Sequence, residues 1–69
     1  MTNTVMLEDY IKKSGYKKSY IANAIGLKST YGLSKKINNE NEFKASEIEI
    51  LCEILNISDA DRMPIFFAK

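Results

Sequence analysis

Ala22, Gly26 and Leu27 stand between two short helical patterns in the run KKSYIANAIGLKSTYGLSKKIN, residues 17–38. This spacing constrains the chain more than any other feature. Two helices that cross steeply at a tight turn need a small side chain where they touch. They also need a residue tolerant of positive φ where the chain reverses. Leu27 is then placed to plug a core. The first helix is expected from Lys18 or Ser19 to Ile25, with Ile21 and Ile25 on one face and Ala22 beside them. The second has Ser29 or Thr30 as N-cap and runs to about Asn38, with Leu33 and Ile37 inward. Gly32 inside it is awkward, because glycine costs about 1 kcal/mol relative to alanine in a helix interior. Either the helix starts later, or a bare backbone is wanted there for close approach.

The flanking segments also read as helix. Leu7, Tyr10, Ile11 and Ser14 recur at i, i+3, i+4, i+7, predicting a helix from Thr4 to about Ser14 that Gly15 ends. Thr4 is the expected cap, Glu8 and Asp9 suit the start of the helix dipole, and residues 1–4 read as a loose end. After a polar loop at 38–43, Ile48, Leu51, Cys52 and Leu55 form the stripe of a fourth helix. Ser46 and Glu49 fit a capping box there, and Ile50 and Ile54 form a second apolar stripe. The run from Ser58 to Asp61 starts another turn or short helix that Pro64 interrupts or opens. The expected fold is all-α, with four to five short helices in a single domain.

Composition excludes several classes. A chain of 69 residues buries only about 60% of its unfolded surface, so it needs well-packed helices or a partner. One cysteine and no histidine leave no intrachain disulfide and no zinc-ligand set. No His-dependent triad can form, no Gly-rich phosphate loop is present, and Glu47 and Glu49 point apart on a helix. No enzyme, no cofactor, no metal and no small-molecule substrate are expected. No apolar run approaches the roughly 20 residues of a membrane span, and the start lacks a signal-peptide pattern. A cytoplasmic protein is expected.

The net charge of +1 conceals a split. Between Lys12 and Lys36 there are seven lysines and no acid, whereas between Glu40 and Asp61 there are seven acids and one lysine. Such asymmetry predicts one face for a polyanion and one turned away from it.

Ile21-Ala22, Ile25-Gly26-Leu27 and Leu33-Ser34-Lys35-Lys36-Ile37-Asn38 resemble the helix-turn-helix of the lambda-repressor-like family. Glu47-Ile48 and the segment from Leu51 to Ile57 resemble its fourth helix and exit. The ending Ile65-Phe66-Phe67-Ala68 looks like that of small phage Cro-type regulators from Gram-positive hosts. The resemblance covers nearly the whole chain, with the motif at about 18–38. Two departures stand out: Lys18 where many members have glutamine, and one extra residue between Gly26 and Leu33.

The resemblance implies a transcriptional regulator of the lysogeny switch, a repressor in the bacterial cytoplasm that binds operator DNA. Its third helix would enter the major groove of double-stranded DNA. Thr30, Tyr31, Ser34 and Lys35 would then face bases, and Lys18, Ser19, Lys28, Lys36 and Asn38 would hold phosphates. Tyr31 alternatively packs its ring against the preceding helix. Family members usually bind as two-fold dimers. Ile50, Ile54, Met63, Phe66 and Phe67 are candidates for a homodimer or protein-partner surface, unless the Phe-Phe tail closes this chain's own core. The alternative function is a modulator of the same shape that binds the phage's main repressor protein.

Overall fold

Asn3, not Thr4, caps the first helix. In a computed structural model describing all 69 residues, Asn3 Oδ1 accepts the Met6 N–H at 3.1 Å, and α1 spans Thr4–Ser14. The Thr4 hydroxyl instead donates to the Ile37 carbonyl at 2.6 Å, tying the start of α1 to the end of the third helix. Neither Glu8 nor Asp9 lies in the first turn. Glu8 pairs with Lys18 at 3.0 Å, and Asp9 with Lys13 at 2.9 Å across one helical turn. Gly15, at φ +76°, ends α1.

Helix α2 spans Lys18–Ala24 and α3 spans Thr30–Ile37, joined as the Ala22–Gly26 spacing requires. Gly26 adopts φ +88°. Leu27 N–H reaches back to the Ala22 carbonyl at 2.8 Å, and Gly26 N–H to that of Asn23 at 3.0 Å. This paired closure satisfies two carbonyls that a helix end leaves orphaned. The turn therefore belongs to α2 as its C-cap, and α3 begins afresh. Ser29 caps it, its Oγ accepting the Gly32 N–H at 3.4 Å.

Gly32 thus falls in the first turn of α3, not in its interior. A Cβ there would meet only Leu27 Cδ1, at an ordinary 3.8 Å. Nothing inside the fold demands glycine. Gly32→Ala is expected to stabilise the folded chain by about 0.5–1 kcal/mol, read from the urea midpoint at unchanged slope.

Helix α4 spans Ala45–Ile54 and α5 spans Asp59–Phe66, completing five α-helices with no strand. The start of α4 is capped by Glu47, not by the expected Ser46–Glu49 box: Glu47 Oε1 accepts the Lys44 N–H at 2.8 Å. Asn56, at φ +54°, closes α4 as Gly26 closes α2. Pro64 sits well inside α5 and does not interrupt it.

Helix α1 packs on α3 and α5, and α2 on α3. Between them lie Leu7 and Ile11, Ile21, Ala22 and Ile25, Leu33 and Ile37, Leu51, Cys52, Leu55 and Ile57, with Ile65 and Phe66. Each large side chain buried this way contributes about 1.5–3 kcal/mol of transfer free energy. The apolar tail divides. Phe66 is buried, edge-on to Phe43 at 5.6 Å between centroids, so it is core and not partner surface. Phe67 and Met63 stay exposed. Ile50 and Ile54 are half-buried against this chain's own core.

Residues 1–4 are not a loose end. Asn39 adopts φ +67°, and its side-chain amide pairs with the Thr2 backbone: Thr2 N–H donates to Oδ1 at 2.6 Å, and Nδ2 donates to the Thr2 carbonyl at 3.0 Å. Asn3 N–H donates to the Ile65 carbonyl at 2.6 Å, and Ala68 N–H to that of Met1 at 2.9 Å. No helix is long and apolar enough to cross a membrane.

Candidate nucleic-acid interface

Burial fixes which side of α3 is free. Successive helical residues advance about 100° around the axis. Leu33, Lys36 and Ile37 face inward and are buried. The opposite stripe is Tyr31, Ser34, Lys35 and Asn38, with Thr30 and Gly32 at its margins. Thr30, Tyr31 and Asn38 are exposed, and Ser34 and Lys35 half-exposed. The four expected base readers thus lie on or beside one accessible face.

Tyr31 is 70% exposed and does not pack against α2. Lys35, one turn on, places its Nζ 5.1 Å from the ring centroid. A cation–π contact at so exposed a place is worth about 0.5–1 kcal/mol and takes up none of the ammonium's hydrogen-bond donors.

At the N-terminal end of α3 lies an open cleft of about 360 Å³. It is lined by Ser19 and Asn23 of α2, by Lys28, Ser29 and Thr30, and by Ala22, Gly26 and Leu27. Hydroxyls, an amide and an ammonium converge there without a carboxylate. This chemistry suits an anionic oxygen. Asn23 and Ser29 were not among the expected contacts, although Asn23 lies on the same outward side of α2 as Ser19.

The expected phosphate contacts divide. Ser19, Lys28 and Asn38 are exposed. Lys18 is half-exposed, and the Glu8 carboxylate 3.0 Å away shares its charge. Lys36 is not a surface lysine. It is 8% exposed, and its Nζ donates to Glu47 Oε1 at 2.8 Å and to the Glu42 carbonyl at 3.1 Å. That ammonium joins α3 to the start of α4 and is unavailable to a phosphate. Burial, the largest influence on Glu47, pushes its pKa up. The Lys36 and Lys44 N–H hydrogen bonds and the two lysine charges outweigh it, holding the carboxyl below its ordinary 4.5.

Tyr16 and Tyr20 stack with centroids 4.8 Å apart and both rings about half-exposed. Lys17, between them in sequence, is exposed. Compared with protein-family models, curated proteins and solved structures, the chain matches none.

Proposed function

We propose that this chain is a small transcriptional regulator of the lambda-repressor-like, Cro-type kind, binding operator DNA in the bacterial cytoplasm. Helix α3 enters the major groove, and Tyr31, Ser34 and Lys35 meet base edges. Thr30 and the cleft beside it hold the flanking phosphate. The observation that carries this reading is the outward stripe of α3, polar and cationic, beside an acid-free cleft on a helix pair joined by a tight turn. Lys35 suits the acceptors of guanine, and the Tyr31 ring or the Thr30 methyl suits the thymine methyl.

Selection from a randomised duplex pool at low salt, followed by fluorescence anisotropy on the enriched sequence, tests it. Lys35→Ala and Tyr31→Ala are each expected to weaken binding about tenfold or more. Both sites are accessible, so the helical circular dichroism and the urea midpoint stay close to wild type. A chain that enriches no sequence and binds no duplex at low salt sinks the proposal.

A second reading has support of its own. Two of the five lysines and polar groups expected on phosphates, Lys18 and Lys36, already face carboxylates within the chain. An exposed tyrosine at the centre of the stripe also suits a protein surface. The partner would then be the phage's main repressor. Size-exclusion chromatography of the two proteins together decides: a stable complex with no intrinsic DNA affinity favours the modulator.

A further inference from the structure

The chain has three glycines, and the fold accounts for two of them. Gly15 and Gly26 hold φ of +76° and +88°, a conformation that residues with a side chain rarely adopt. Gly32 is different. It is helical without a positive φ, and the Cβ it lacks would meet only Leu27 Cδ1, at an ordinary 3.8 Å. Its N–H is held by Ser29 Oγ, a bond open to any residue but proline. Glycine weakens a helix relative to alanine. Position 32 therefore carries a cost that no contact within the molecule offsets.

The reason for the glycine lies on the outer side of the helix. Gly32 is half-exposed and sits about 100° round the axis from Tyr31, at the edge of the accessible stripe of α3. One turn on along that edge stands Lys36, whose ammonium is turned in to Glu47 and to the Glu42 carbonyl. This flank of α3 thus raises no side chain over two turns, whereas Tyr31 and Lys35 stand together beside it. A helical side chain covers the turn before its own Cα. The side chain missing at position 32 leaves bare the backbone around Lys28 and Ser29, and both residues line the acid-free cleft.

We infer that Gly32 is a DNA-contact position. The bare flank of α3 seats against the sugar-phosphate wall of the major groove, with its backbone closer to the duplex than a Cβ would allow. Seated this way, the helix lets Tyr31 and Lys35 reach base edges from beside the wall. The inference rests on the DNA reading of α3 and supplies what that reading leaves open, the demand for glycine. Fold and ligand then pull in opposite directions at this one residue.

Fluorescence anisotropy on the enriched duplex, paired with urea unfolding of the same proteins, tests it. Gly32→Ala is expected to raise the urea midpoint and yet weaken binding about tenfold, and Gly32→Leu to weaken it about a hundredfold. The opposite signs distinguish a glycine required by the duplex from one required by the fold. Gly32→Ala that binds as tightly as wild type, while Lys35→Ala in the same series binds more weakly, overturns the inference and leaves the DNA reading standing. A lowered urea midpoint for Gly32→Ala assigns the glycine to the fold and overturns it too. A wild-type chain that binds no duplex removes both.

Discussion

Lys36→Met is expected to lower the unfolding free energy by about 3–5 kcal/mol, the usual consequence of stripping a buried ion of its partner. The Glu47 side chain is only 7% exposed, and without Lys36 it keeps just the Lys44 N–H. The effect is large for this chain, since 69 residues sustain a total stability of about 3–10 kcal/mol. The double variant Lys36→Met with Glu47→Leu is expected to recover most of the loss, because an apolar pair of similar volume avoids both desolvation costs. Urea unfolding followed by circular dichroism gives all the values.

Acid reverses the sign between wild type and variant. In wild type the folded-state pKa of Glu47 is depressed below 4.5. Its stabilising contribution is present above 4.5 and is lost as pH falls through the folded value. In Lys36→Met the main opposing influences are gone and burial prevails, raising the folded pKa. The variant therefore gains stability on acidification from neutral pH toward about pH 5, where wild type is still flat. A variant whose stability tracks the wild-type pH profile would show that the Lys36–Glu47 contact contributes nothing in solution.

The second large effect concerns salt. Lys17 and Lys28 are exposed, and Lys18 half-exposed, on or next to α2 and α3. With about three phosphates neutralised per chain, log affinity falls with log salt at a slope of about −2.7. Raising salt from about 50 to about 200 mM is then expected to weaken DNA binding about fortyfold per chain. Counting Lys36 as a fourth contact would make the loss about three- to fourfold larger still. Anisotropy across the salt series reads the slope directly. The Lys28→Ala variant should lower its magnitude by about one, without changing which sequence is preferred. A slope near zero would remove the electrostatic footing of the DNA reading.

The helices were legible because their signals are local. Gly15 and Gly26 mark reversals that need positive φ, and Leu33 with Ile37 marks the buried side of α3. Ser29 caps where a hydroxyl before an apolar period predicts a cap. The outward stripe at Tyr31, Ser34 and Lys35 followed from that same period. By charge alone Lys36 reads as a surface lysine, but its position says otherwise. It lies three residues from Leu33, on the buried stripe, and its partner Glu47 lies four residues before Leu51 on another. Which acid meets which lysine depends on how α3 and α4 approach each other, and no local pattern encodes that. The tail divided for the same reason. Phe66 and Phe67 are equally apolar, and only the helical turn of α5 sends one inward. Asn39 was hidden differently: an asparagine in a polar loop looks like a solvated turn. Here its left-handed backbone and its amide, which copies a peptide group, bind a segment 37 residues away.

That pairing changes how the two extremities behave. Hydrogen bonds from Asn3 to Ile65 and from Ala68 to Met1 connect the farthest parts of the sequence. Closing so long a loop is slow relative to local helix formation, so these bonds form late, once α1, α3 and α5 are in place. Once formed, neither extremity frays alone, since loosening one releases the carbonyls or amides that hold the other. Their slowest-exchanging amides should therefore open together, as one cooperative unit. The chain is in effect a closed ring with a hydrogen-bonded clasp.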